Sequence, residues 1–255
     1  MPASKSLAFV LKKSDYRDTS LLVHFYTEEA GKIHGIVKGV RDSRTRFGTT
    51  FEPFSLNEIL YYRKKRGSDL CLVSQADCVN AYAPIRADLE KLSYASYFSE
   101  LVDEMTEIED GPGELFTLLT EALDFLSGPA TAKRAARIFE IKLLDSLGLM
   151  PEARSCVVCR TEFPEPAYFS PAYGGVRCAA CHAKAKDSVP AQKVSRDTLN
   201  FIDHARRAGW AELAQVKVSG GVGPDLEKML RRFTDYQLSH KLNTVSFLEK
   251  MGMES

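Results

Sequence analysis

The sequence predicts an α+β protein: an N-terminal five-stranded barrel, a helical domain, and a zinc-ribbon-like insert. Three observations carry this expectation. Five short apolar runs crowd the first 80 residues, a helical period replaces them from residue 88, and four cysteines form two Cys-x2-Cys knuckles near residue 170. With 255 residues and 44% apolar content, the chain is long enough for a substantial hydrophobic core. Disorder, collagen and a small disulfide-stapled scaffold are excluded on the same numbers.

The strand-like runs are Ser6–Lys13, Thr19–Thr27, Gly31–Lys38, Pro53–Tyr62 and Asp69–Val79, rich in Leu, Val, Ile, Phe and Tyr. In the second, Leu21, Val23 and Phe25 alternate with Leu22, His24 and Tyr26, which suits a strand with one face fully buried. The Glu28-Glu29-Ala30-Gly31 link is short enough for a hairpin, with Gly31 free to take a positive φ. Five such strands match a small closed or partly open barrel, the OB-fold being the nucleic-acid-binding example; an SH3-like barrel and a plain antiparallel sheet fit as well.

Helical spacing follows at Asp88–Ile108, Gly113–Ser127 and Thr131–Leu147, and again at Ser195–Ala208 and Pro224–His240. Gly-Pro punctuation at residues 110–113 and 127–129, and Gly148 with Pro151, separates them. The expected domains are therefore 1–80 for the barrel, 81–154 and 191–255 for a helical domain, and 155–190 for a loop-rich metal module. Ser219-Gly220-Gly221-Val222-Gly223 lacks the Gly-Lys-Ser/Thr ending of a P-loop and reads as a turn. No internal repeat or low-complexity tract is present.

Formal net charge is zero, from 34 Lys+Arg and 34 Asp+Glu, but the charge is segregated. Residues 1–80 carry 13 − 9 = +4, residues 81–155 carry 7 − 14 = −7, and residues 156–255 carry 14 − 11 = +3. Basic ends around an acidic middle suit polyanion binding as well as they suit a solvated mixed surface. No apolar run reaches the roughly 18 residues of a membrane span, and the first 20 residues carry charges where a leader would be apolar. A cytosolic protein without a membrane association is expected. In a reducing compartment six cysteines point to a metal or to inert thiols before disulfides.

Cys156-Val157-Val158-Cys159 and Cys178-Ala179-Ala180-Cys181 are separated by 18 residues, 160–177. Each knuckle presents two thiolates, and 15 to 20 intervening residues let the second pair complete a tetrahedron around one Zn²⁺. Four sulfurs leave no position for water, so the zinc expected here is structural and not catalytic. A four-cysteine iron site has the same spacing. The Cys178-Ala179-Ala180-Cys181-His182 string also reads as a haem attachment, which would leave Cys156 and Cys159 idle; a thioredoxin-like pair fits two paired knuckles poorly. His182 is a spare ligand, and Cys71 and Cys78 read as buried inert thiols.

Cations cluster in the barrel. Lys32, Lys38, Arg41, Arg44 and Arg46 fall within 15 residues, and Arg63-Lys64-Lys65-Arg66 forms a strand connection, with Phe47, Tyr61 and Tyr62 as adjacent rings for stacking on bases. Tyr61 and Tyr62 face opposite sides of a strand, so one of them belongs to the core. Lys133, Arg134 and Arg137 set a basic edge beside Ile138, Phe139 and Ile141, a pattern suited to an acidic peptide ending in an apolar residue or to ordinary packing. No Gly-x-Ser-x-Gly, His-Glu-x-x-His or Walker sequence occurs, and the five histidines adjoin no nucleophile, so no enzyme is expected.

These pieces in this order resemble the RecO family of bacterial recombination mediators. Ala8-Phe9-Val10-Leu11, Tyr16-Arg17-Asp18-Thr19-Ser20-Leu21 and the run Phe25 to Lys32 are similar to the family's opening strands. Val37-Lys38-Gly39-Val40-Arg41, Ser43-Arg44-Thr45-Arg46 and Glu52-Pro53-Phe54 resemble its basic stretch and following proline-phenylalanine. Arg137 to Leu144 with Leu147-Gly148-Leu149-Met150-Pro151 resembles its helix into the zinc module. Asp18 stands where glutamate is usual and Val40 where alanine is usual; neither alters a charge.

The resemblance covers nearly the whole chain. It implies an N-terminal OB-fold and a bacterial, nucleoid-associated protein that binds single- and double-stranded DNA and anneals complementary strands. It further implies work with RecR and single-stranded DNA-binding protein, through the latter's acidic C-terminal tail, to load RecA. The competing expectation is a zinc-ribbon interaction scaffold without DNA affinity of its own.

Overall fold

A computed structural model describes residues 3–40, 50–63, 70–108, 113–185 and 190–253. Strands β1 (Ala3–Tyr16), β2 (Ser20–Thr27), β3 (Gly31–Val37), β4 (Leu56–Tyr62) and β5 (Leu70–Asn80) close a barrel in the order β1-β2-β3-β5-β4. The β3–β5 pair is parallel and the other pairs are antiparallel, the arrangement of an OB barrel. Of the three barrel or sheet options the sequence permits, this one holds.

Closure rests on β1. Its first half pairs with β4, Ala3 opposite Tyr62 through Phe9 opposite Leu56, and its second half pairs with β2, Ala8 opposite Thr27 through Tyr16 opposite Ser20. A bulge between Val10 and Lys12 bends the strand between its two partners. Inward side chains Ala8, Val10, Val23, Phe25, Ile33, Val37, Ile59, Tyr61 and Val73 fill the interior. The β2–β3 hairpin turns at Gly31, φ 64°, with the Thr27 hydroxyl donating to the Gly31 carbonyl at 2.9 Å and accepting from the Ala30 N–H at 3.0 Å.

Three helices belong with the barrel: α1 (Ala83–Arg86), α2 (Leu89–Met105) and α3 (Glu114–Ser127). Asp88 caps α2 by accepting from the Glu90 and Lys91 N–H groups. Phe9 projects outward from β1 yet is fully buried, because its ring meets Phe116 at 5.1 Å and Tyr82 at 6.4 Å. The compact units are accordingly residues 1–129 and 130–255, so the helices expected to share one domain are divided between them. The reason is the apolar outer face of β1, which needs a cover that helices 83–127 supply.

The second unit holds α4 (Ala132–Ser146), β6 (Ala167–Ser170), β7 (Gly175–Cys178), α5 (Ala179–Ala183), β8 (Gln192–Val194), α6 (Arg196–Arg207), α7 (Trp210–Gln215), α8 (Val222–Leu238) and α9 (Asn243–Lys250). Helix α4 ends on Gly148, φ 68°, with the Leu149 N–H donating to the Leu144 carbonyl at 2.8 Å. The three strands form a sheet in the order β7-β6-β8. Phe169 of β6 meets Phe233 of α8 edge-on at 6.1 Å. Helices α7 and α9 were not legible as helical periods because six and eight residues span too few turns.

Gly35 faces the barrel interior, where a Cβ would stand 2.7 Å from a Val73 methyl and 3.0 Å from the Phe25 ring. Gly35→Val is therefore expected to lower the unfolding free energy by about 1–3 kcal/mol through overpacking, read by chemical denaturation.

Candidate metal centre and nucleic-acid interface

The first knuckle is shaped by backbone bonds. Cys156 N–H donates to the Thr161 carbonyl and Arg160 N–H to the Cys156 carbonyl, both at 2.9 Å, which folds residues 156–161 into a tight turn. Arg160 takes φ 64° to complete it. Val157 N–H donates to Val176 O and Val176 N–H to Glu152 O, both at 2.9 Å, so this turn is bound to β7. Gly175 permits the approach, since a Cβ there would lie 2.5 Å from the Glu152 carbonyl. Cys178 ends β7 and caps α5, whose first turn brings Cys181 back beside it.

The result is four sulfurs, all within 4.8 Å of one another. Cys159 and Cys178 stand 3.7 Å apart, against about 3.8 Å for two ligands of a tetrahedral Zn–S centre with ~2.3 Å bonds. The Thr161 hydroxyl and backbone lower the Cys159 thiol to about 6, while hydrogen bonding with Cys178 and Cys159 pushes Cys181 up to about 12. Burial raises Cys156, but the backbone groups of Cys159 and Cys178 bring it below its ordinary value. The donor set and spacing fit one soft tetrahedral ion, whose charge would bring all four sulfurs to the thiolate form. His182 is turned away from this role: its ring stacks on Tyr168 at 4.1 Å and its Nδ1 faces the Arg177 guanidinium at 3.5 Å.

A second group of ligand-type side chains is His24, His34 and Asp103. The two imidazoles are stacked 3.9 Å apart at 19°, and their lone pairs lie in those nearly parallel planes, so they do not converge on one ion. His24 Nδ1 is 2.8 Å from Asp103, and the Lys32 ammonium is 3.4 Å from the same carboxylate. This cluster is a structural clamp.

Lys32 is the correction among the basic residues expected to meet DNA. It is 8% exposed, donating to the Asp103 carbonyl and, at 2.7 Å, to the Thr106 carbonyl at the C-terminal end of α2. A lysine neutralising the end of a helix and buried there has no phosphate to meet. Lys38 is exposed just beyond β3, and Arg63 is half-buried just beyond β4, 5.9 Å from the Tyr61 ring. Tyr61 points into the core and Tyr62 outward, as their opposite faces require. Arg41, Arg44, Arg46, Phe47, Lys64, Lys65 and Arg66 lie outside the described residues.

Register places two of the described cations together. Leu21 pairs with Val37 and the Val40 N–H donates to the Thr19 carbonyl, so the β1–β2 turn and the end of β3 lie side by side. Lys38 stands there with exposed Arg17, whose guanidinium lies 5.4 Å from the Tyr16 ring, while Arg63 follows the end of β4, which runs opposite to β3. Sequence reasoning had not selected Arg17, although its turn position between two strands was a usable signal. In OB barrels this β1–β2 turn, the β4–β5 connection and the β2–β3 face carry oligonucleotides.

In the second unit, Lys133, Arg134 and Arg137 line a cavity of about 290 Å³ with Phe201, Val222 and Leu226. Arg134 donates to the Val216 carbonyl, and Arg137 is 6% exposed with its guanidinium 3.1 Å from Glu140. A larger cavity of about 470 Å³ is bordered by Arg206 and Arg207, which are paired with Asp145 and Asp203. Cys71 is buried as expected; Cys78 is exposed on β5, contrary to expectation, because β5 beyond Ala76 turns its side chains outside the core.

Barrel, sulfur cluster and helices together define an OB-barrel protein with a four-cysteine metal module, and no described helix is long and apolar enough to cross a membrane. Residues 1–82 match the family described as Recombination protein O N terminal, and residues 86–245 match Recombination protein O C terminal. The DNA repair protein RecO of Syntrophus aciditrophicus is 32% identical over 252 residues, 97% of this chain and 95% of that protein. That of Shouchella clausii is 33% identical over 254 residues, 97% and 96% of the two chains. The chain belongs to the RecO family, whose role is in DNA repair and recombination.

Two outcomes test these assignments. Lys32→Met is expected to cost about 1–3 kcal/mol of stability by leaving the α2 carbonyls without their donor, measured by denaturation, with DNA affinity of the folded fraction unchanged. Cys178→Ser is expected to reduce metal content from about one zinc per chain to about none, measured by elemental analysis.

Proposed function

We propose that the protein binds single- and double-stranded DNA without sequence preference, anneals complementary strands, and with RecR helps load RecA onto DNA coated by single-stranded DNA-binding protein. The observation that carries the DNA reading is the pairing that brings Arg17 of the β1–β2 turn beside Lys38 at the end of β3, with Arg63 at the entry to the β4–β5 connection. In sequence, Lys38 is followed by Arg41, Arg44 and Arg46, and Arg63 by Lys64, Lys65 and Arg66. Cations that hold phosphates while reading no base edge leave bases free to pair, and neutralised phosphates reduce repulsion between two strands. Annealing in this scheme needs no bond-breaking step, which supports a mediator that is not an enzyme.

The groove lined by Lys133, Arg134, Arg137 and apolar side chains suits the acidic tail of single-stranded DNA-binding protein. Its apolar floor takes a terminal apolar residue and the half-buried Lys133 and Arg134 at its edge take the carboxylates, while buried Arg137 stays with Glu140. The four cysteines hold one structural zinc, which supplies only the cross-link that orders residues 155–190. A cytoplasmic, nucleoid-associated protein is consistent with these partners.

Fluorescence anisotropy of a labelled mixed-sequence single strand at several salt concentrations tests the reading. Binding is expected to weaken steeply with salt at each sequence tried. Replacing Arg17, Lys38 and Arg63 together by Ala should flatten the log–log salt slope by about 2, at ~0.7 per phosphate contact. Absence of binding by the unaltered protein at low salt would leave the interaction scaffold as the function.

A further inference from the structure

One of the largest fully buried side chains in the protein is a cation next to the metal cluster. Arg177 is 0% exposed and precedes Cys178 on β7. A guanidinium withdrawn from water requires acceptors, π density or negative charge around it. It lies over the Tyr173 ring at 4.3 Å, and its Nη2 stands 3.5 Å from His182 Nδ1. A guanidinium only donates, so Nδ1 is the atom of the ring placed to accept from it.

His182 is held on its other side by Tyr168, stacked at 4.1 Å and 15°. Tyr168 is the register partner of Arg177 across β6 and β7, and Tyr173 sits in the turn between those strands. Arg177 therefore joins the strand that ends in Cys178, the turn before it, and helix α5, which carries Cys181 and His182. The second pair of sulfurs cannot shift without disturbing this assembly.

We propose that Arg177 is a positioning residue of the metal centre, holding the second knuckle in place through His182. The inference rests on the zinc reading above, and the test separates the two. Zinc content and the rate of zinc transfer to a chromogenic chelator are measured for the unaltered full chain and for Arg177→Lys, Arg177→Gln and Arg177→Met. Arg177→Gln and Arg177→Met are expected to release zinc about 10- to 100-fold faster, with Arg177→Lys between them and the unaltered protein. Melting of metal-loaded and metal-stripped protein supplies a second readout: the positioning role lowers the loaded form's midpoint more, whereas a purely structural role lowers both equally.

Folded Arg177→Gln that releases zinc at the unaltered rate overturns the inference while leaving the zinc site in place. An unaltered protein that binds no zinc overturns both. Should the Arg177 variants fail to fold, Tyr173→Leu removes the ring beneath the guanidinium while keeping its charge, and faster zinc release is again the expected result, with an unchanged rate overturning it.

Discussion

Barrel closure depends on one strand serving two neighbours. β1 spans 14 residues, and its bulge between Val10 and Lys12 lets it leave β4 and take up β2 without a break in the chain. Bulges increase local twist and bend, which closing five strands demands. Once β1 is fixed in this way, the hairpin at Gly31 and the parallel β3–β5 pairing follow by register. So does the placing of the β1–β2 turn beside the end of β3, where Arg17 and Lys38 of the DNA reading stand.

The same strand dictates how the barrel is covered. A strand that is apolar on both faces cannot leave its outer face in water, and Phe9 recruits Phe116 and Tyr82 to it. Lys32 then fastens β3 to the end of α2 and His24 fastens β2 to Asp103 of the same helix. Burial would raise the Asp103 carboxyl, but the hydrogen bond from His24 and the charges of His24 and Lys32 hold it below its ordinary value. Two residues of nucleic-acid-binding or metal-ligating type are thereby committed to holding a helix.

In the second unit the cysteine module is organised by a different constraint. The described residues of 155–190 form four short elements, two strands, a 3-10 turn and one short helix, with too few buried apolar side chains for an independent core. Hydrogen bonds from the first knuckle to β7, and the Arg177–His182–Tyr168 assembly beneath the second, bring the sulfurs to tetrahedral spacing before any ion is considered. A metal held by the four sulfurs would supply the cross-link that a larger core otherwise provides.

Period-two alternation, the glycine in the hairpin, the helical period and the Cys-x2-Cys spacing are local properties, and from them the sequence by itself determined the five strands, the longer helices and the grouping of the four cysteines. Strand bounds fell within a few residues, β1 extending furthest because pairing to two partners lengthens a strand beyond its apolar run. What only tertiary structure decided is which faces are covered. A lysine in a basic stretch reads the same whether it meets solvent or a helix end, so Lys32 looked like its neighbour Lys38; only packing α2 against the barrel separates them. Arg177 was invisible for the same reason, since burial arises from residues far apart in sequence, which spacing along the chain does not encode.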